Sequence, residues 1–137
     1  MNLSDEPVQR FLASKKVVVL ATIQVDGAPL AMAMWFLHDP GALTMISVDD
    51  LQKVRNLRRD PRVCVVAEAD DARGIRGVIV QGRAEFLADG AERRALVDRF
   101  LAKYDPLLEG YWKGRTMPPN RVMFRITPSK TLAWGLA

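Results

Sequence analysis

The sequence predicts a mainly β fold: a small, mostly antiparallel barrel with helices at its periphery. Three observations carry that expectation. The runs rich in β-branched residues are short and follow one another closely. Three connections read as tight or polar turns: Asp26-Gly27, His38-Asp39-Pro40-Gly41, and Asp70-Asp71-Ala72-Arg73-Gly74. Helical periodicity appears in only a few segments, whereas a parallel doubly wound sheet needs a helix between nearly every pair of strands.

The elements follow in order. Ser4 is placed to cap a first helix, with Asp5 and Glu6 at its positive end, Pro7 in its first turn, and Val8, Phe11 and Leu12 at helical spacing. Val17–Gln24 reads as strand one, and the Asp26-Gly27 turn leads into strand two, from Pro29 to about Leu37. Leu43–Val48 forms strand three. Asp49 or Asp50 then caps a helix of about three turns whose buried stripe is Leu51, Val54 and Leu57. Pro61 ends that helix, and Arg62–Ala69 is strand four. Gly77–Leu87 alternates as a strand, with Gly82 marking a bulge or a barrel corner. Gly90–Tyr104 is the clearest helix, carrying Leu96, Val97, Phe100 and Leu101 at core spacing, and Asp105-Pro106 breaks it. Leu107–Pro119 is irregular or briefly helical, and two strands follow, Val122–Ile126 and one near Leu132–Trp134.

A chain of 137 residues fits one domain, residues 1–137, and 49% hydrophobic with 26% charged residues supports a core rather than disorder. The single cysteine, Cys64, excludes an intramolecular disulfide and a multi-cysteine zinc site, and its apolar run makes it a small buried hydrophobe. The N-terminus lacks the basic and apolar regions of a signal peptide, and no apolar stretch approaches the roughly 20 residues of a membrane helix. The expectation is a cytoplasmic protein without a membrane partner. A net charge of +4 is compatible with nucleic acid, with an anionic ligand, or with solubility alone.

The strand end at Thr44–Val48 followed by Asp49–Arg59 carries most of the chemistry. The first turn of a helix has unpaired N–H groups and a positive dipole end, so it attracts anions. A lysine there costs a few tenths of a kcal/mol, and Lys53 therefore points to a bound anion that offsets the cost. Asn56 is one turn on and shares its face. Arg58 and Arg59, near the helix C-terminus, suit the dipole as solvated cations, and Arg55 adds charge. The basic run has no interleaved aromatics, which argues against nucleic acid as the partner.

Several blocks in order resemble the pyridoxamine-phosphate-oxidase-like split β-barrel proteins. They are Val19-Leu20-Ala21-Thr22, Asp26-Gly27-Ala28-Pro29, Trp35-Phe36, Lys53 through Val63 with its Asp60-Pro61-Arg62, and Arg76 through Ala84. The lysine-to-Asp-Pro-Arg block is most similar to the branch that uses the deazaflavin coenzyme F420, with an FMN-binding branch close behind. The resemblance implies a homodimer with two cofactor sites at the subunit interface and a small-molecule substrate. In it Lys53 meets the phosphate, with Ser47, Ile46, Gln52 and Arg55 around it. Strand two, with Ala31, Met32, Met34, Trp35 and Phe36, lies along the tricyclic ring, and Arg76, Gly77 and Trp134 approach from the partner subunit. One departure stands out. Flavin-binding members commonly carry an arginine early in strand two and a basic residue at its end, whereas Leu30-Ala31-Met32 and Phe36-Leu37 are uncharged. That tilts the expected cofactor from FMN toward F420 and makes a strict pyridoxamine-phosphate oxidase a poor reading.

The remaining residues give less. His38, the only histidine, is expected exposed in a turn and cannot form a metal site alone. No Gly-x-Ser-x-Gly elbow is present. Met32, Met34 and Met45 form either core or an apolar wall for a flat ring. Tyr104, Tyr111 and Trp112 cover the barrel or the dimer seam. In this reading the cofactor supplies the redox chemistry and the protein orients it, so no catalytic residue is named. The alternatives left open are an FMN oxidoreductase, a non-catalytic flavin or deazaflavin carrier, and a nucleic-acid-binding barrel.

Overall fold

The computed structural model describes residues 1–136; Ala137 and the side chains of Glu109 and Tyr111 lie outside the described residues. Seven strands form one antiparallel sheet: β1 (Val18–Ile23), β2 (Pro29–Met34), β3 (Leu37–Asp39), β4 (Ala42–Val48), β5 (Arg62–Asp71), β6 (Gly74–Phe86) and β7 (Arg121–Trp134). The helices are α1 (Glu6–Ala13), α2 (Gln52–Arg59), α3 (Ala91–Tyr104) and the short α4 (Leu107–Tyr111), the last followed by a 3-10 turn at Lys113–Arg115. None of the described helices is long and apolar enough to cross a membrane.

The strand order is β2-β1-β5-β6-β7-β4-β3, so β2 and β3 are opposite edges of the sheet. Only Trp35 and Phe36 separate them in the chain. Six strand spacings laid flat would hold the edges ~29 Å apart, yet three peptide units reach at most ~11 Å. The sheet must therefore roll up until its edges meet. This is the split β-barrel, closed by a chain crossover instead of a hydrogen-bonded ladder. Leu20, Phe36, Leu43, Met45, Val65, Val80, Phe124 and Ile126 fill its interior, and α1 plugs one opening with Val8, Phe11 and Leu12. A second cluster, Leu37, Phe100, Leu101, Tyr104, Trp112 and Met123, packs α3 and α4 on the outside of the β4–β7 wall.

Local chemistry explains where the elements begin and end. Gly27 takes φ +87° in the β1–β2 hairpin, and Asp26 Oδ1 accepts the amide of Ala28. The polar connection after β5 is itself a tight hairpin, with Gly74 at φ +88°.

Several expectations need correction. The segment 29–37 is not one strand: it turns a corner at Trp35-Phe36, and His38 lies in β3, half-buried, its Nδ1 2.8 Å from Gln9 Oε1. The final pair of strands is one 14-residue strand running through Pro128. Proline is tolerated there because the register slips between Gln81 and Gly82, leaving Ser129 as an extra residue. The bulge at Gly82 is thus observed. Asp5, not Ser4, sits at the N-cap of α1. Helix α2 is eight residues long, with Leu51 at its N-cap and no side-chain cap; Leu51 is 41% exposed rather than part of a buried stripe. Cys64 is half-buried on the outward face of β5, not in the barrel core.

Candidate cofactor site

A cavity of about 400 Å³ opens where β2, β4, α2 and the α3–α4 cluster meet. That volume is within the range of sites that enclose small organic ligands. Its apolar walls come from Met34, Trp35, Ile46, Leu51, Phe100 and Trp112. Its polar groups are Ser47, Lys53 and Arg121, and among the described residues no carboxylate lines it.

Lys53 is the feature to explain. It is 7% exposed, and among the described residues no hydrogen bond or ion pair reaches it. Burial lowers its pKa. Its place follows from α2, whose rotation is fixed by Asn56. That side chain is fully buried; it donates to Thr22 Oγ1 at 3.0 Å and accepts from Gln52 Nε2 at 2.8 Å. Lys53, one turn earlier, is thereby held on the inner side of the helix. The first helical bonds run from Val54 N and Arg55 N to Leu51 O, so the amides of Gln52 and Lys53 lie in the free first turn. Amides, helix dipole and ammonium act together here. Ser47 is also buried, its hydroxyl donating to Val48 O at 3.0 Å.

Trp35 forms the flat part of the wall and stacks on Tyr104, with ring centroids 4.3 Å apart and planes 9° from parallel. Tyr104 also holds the crossover. Its hydroxyl accepts from Phe36 N at 2.9 Å and lies 2.8 Å from Lys16 O, while Lys103 Nζ donates to Phe36 O at 2.8 Å. Burial pushes the Tyr104 hydroxyl up to about 12 and the Lys103 ammonium down to about 8. Tyr104→Phe keeps the ring but strands a buried amide, so it is expected to lower stability by about 1–3 kcal/mol. Calorimetry of the ligand-free variant measures this, and a melting temperature equal to the parent's would show that the hydroxyl does not hold the crossover.

The structure gathers Met34, Trp35, Ile46, Ser47 and Lys53 around this one cavity. The other candidates lie elsewhere. Phe36 is fully buried in the barrel core, and Met32 packs against that core from β2, where Ala31 is exposed. Gln52 is engaged with Asn56 and Arg55, and Arg55 also folds back onto Asp50 O. Arg58 stacks over Phe86, and Arg59 bonds Ile23 O. Arg76, Gly77 and Trp134 form a separate corner of β6 and β7. There Gly77 pairs with Trp134, and Arg76 pairs with Asp71 at 2.8 Å, its Nε buried without an acceptor among the described residues. Arg121 and Leu108 escaped the sequence reading, and Phe100 and Trp112 were read as core and as cover, not as cavity lining. Nothing local marks any of the four as cavity residues, because β7, α3 and α4 meet the cavity only through the tertiary arrangement.

Comparison with known proteins bears on this arrangement. The family model described as pyridoxamine 5'-phosphate oxidase matches residues 4–135. A conserved hypothetical protein from Mycobacterium tuberculosis is 28% identical over 93% of this chain and 81% of its own, with a TM-score of 0.77. A putative pyridoxamine 5'-phosphate oxidase from Listeria innocua is 27% identical over 98% of this chain and 99% of its own, with a TM-score of 0.76. An FAD-binding protein from Mesorhizobium loti is 26% identical over 90% of this chain and 87% of its own, with a TM-score of 0.71.

Proposed function

The chain belongs to the pyridoxamine 5'-phosphate oxidase family, and from that premise we propose that it is a deazaflavin-dependent oxidoreductase. In this reading it moves a hydride between the reduced coenzyme F420 and a small planar acceptor. Membership alone does not settle the reaction, since one fold hosts many activities. The observation that carries the proposal is Lys53, buried at the start of α2 without a partner among the described residues and facing a cavity with an aromatic wall. A flat ring against Trp35 with an anionic end at Lys53 meets both halves of that site. The protein's residues orient the ring, exclude water and neutralise the anionic end; the coenzyme supplies the hydride chemistry. The uncharged start of β2 favours the deazaflavin over FMN. FMN is the second reading, supported by the FAD-binding relative from Mesorhizobium loti.

The test is titration of the purified protein with F420 and with FMN, followed by absorbance and fluorescence. Binding of neither at micromolar concentration would end this reading. Turnover with a panel of acceptors then divides an enzyme from a carrier.

We further propose that the protein works as a homodimer. By register, Ala33, Val19, Val66, Ile79 and Leu132 form one row across β2, β1, β5, β6 and β7. The row faces away from the barrel core, with Val19 37% and Leu132 44% exposed. In an isologous pairing centred on this row, the Ala33 end of one protomer meets the Leu132 end of the other. Ala33 also lines the cavity, and Trp134 is two residues beyond Leu132. The pairing thus brings the Arg76–Trp134 corner of each protomer toward the other's site. Light scattering at micromolar concentration is expected to give twice the 15.3 kDa chain mass. A monomer mass would remove this proposal.

A further inference from the structure

We propose that Arg121 is the second cation of the cavity's anion site, so that the bound ligand presents two negative charges there instead of one. The inference rests on reading the cavity as a coenzyme site and adds to it the charge of the group that is recognised. Arg121 opens β7 and pairs in register with Val48, the neighbour of Ser47 on β4. The Asp49 amide donates to Asn120 O at 2.9 Å, tying the start of β7 to the approach of α2. Among the described residues the guanidinium meets a neutral acceptor, Asn120 Oδ1, and forms no ion pair. Most other arginines near a groove in this molecule are paired with carboxylates, among them Arg99 with Asp39 and Arg125 with Glu85 and Glu92. Lys53 and Arg121 thus bring two cations to a cavity lined by no carboxylate among the described residues.

Two like charges beside apolar walls repel each other more strongly than they would in open water. A ligand with one negative charge leaves one of them uncompensated. Two ligand chemistries supply two. A phosphate monoester carries about −1.5 to −2 at neutral pH, and FMN ends in one. A phosphodiester followed by a carboxylate does the same over a longer reach, as in F420 with its glutamyl tail.

The experiment measures equilibrium affinities of the full chain, parent and Arg121→Gln, for FMN against riboflavin and for F420 against the same deazaflavin lacking both its phosphodiester and its tail. If the monoester is the partner, Arg121→Gln lowers FMN affinity about tenfold or more and leaves riboflavin unchanged. If phosphodiester and carboxylate share the site, the same loss appears for F420 and is absent for the deazaflavin without phosphodiester and tail. Arg121→Lys retains most of the affinity in either case. An Arg121→Gln variant that binds the preferred coenzyme as the parent does overturns the inference. A parent that binds no coenzyme defeats the functional reading separately. In that event inorganic phosphate is the probe, compared with chloride at equal ionic strength. A rise in melting temperature that Arg121→Gln abolishes upholds the two-cation site, and no rise in the parent overturns it.

Discussion

Lys53→Met is expected to raise the melting temperature of the ligand-free protein while weakening coenzyme binding by roughly 10- to 150-fold. Both effects come from one fact. Lys53 is 7% exposed, and its ammonium faces the cavity with no partner among the described residues. Methionine fills much the same volume without a charge, so the variant loses the cost of burying that charge. Each 1 kcal/mol recovered moves the transition of a domain this size by roughly 3–5 °C. The coenzyme's anion loses a charge-assisted contact worth about 1.5–3 kcal/mol. The pH dependence has a definite sign. Burial lowers the folded-state pKa of Lys53, so the unfolded chain binds more protons than the folded one between the two values. Stability from this group rises with pH in that window. The advantage of Lys53→Met is therefore greatest at neutral pH and shrinks as pH rises toward about 10.4, the unperturbed lysine value. Calorimetry with and without coenzyme at two pH values measures all of this. A variant that melts below the parent, or binds coenzyme as tightly, would remove Lys53 from the centre of the site.

What the sequence conveyed about this site, and what it withheld, divides along the distance over which each signal acts. Ser47, Ile46 and Lys53 were legible because a strand end, a helix start and a misplaced cation occur within a few residues. The helix cap was read one or two residues early. Asp49 and Asp50 look like caps, but the chain is still extended at Leu51, and neither aspartate side chain caps the helix. Shifting the start to Gln52 takes Leu51 out of the stripe and turns Lys53 inward. The crossover at Trp35-Phe36 was read as continuous strand because the period-two pattern does not register a corner. Its bonds to Tyr104 and Lys103 come from residues 67 and 68 positions away. Arg121 was hidden for the same reason: its neighbours on β4 are chosen by sheet order.

Gly82→Ala is expected to lower stability by about 3 kcal/mol, the upper end of the usual overpacking cost, and so to reduce the melting temperature by roughly 10 °C. Gly82 stands where β6 and β7 change register, pairing with Pro128 just after Gln81 pairs with Lys130. A methyl group there would lie 2.3 Å from the carbonyl oxygen of Thr127, 3.0 Å from its carbon and 3.2 Å from Cγ2 of Ile126. The first two atoms are backbone and cannot rotate away. Pro128 restricts the adjoining chain through its fixed φ, and Ile126 is fully buried in the barrel core. Relief must then come from displacing β7 itself. That strand carries Arg121 at one end of its run and Trp134 at the other, so the substitution is also expected to weaken ligand binding without touching the cavity. The clash is steric, not conformational, because the φ of Gly82 lies outside the left-handed region. Gly41→Ala is the matched control: a methyl group there meets nothing within 4 Å, and its expected effect is within about 0.5 kcal/mol. Thermal melts of the two variants side by side decide the matter. If Gly82→Ala melts with Gly41→Ala, the bulge has room to spare and β7 is not held by it.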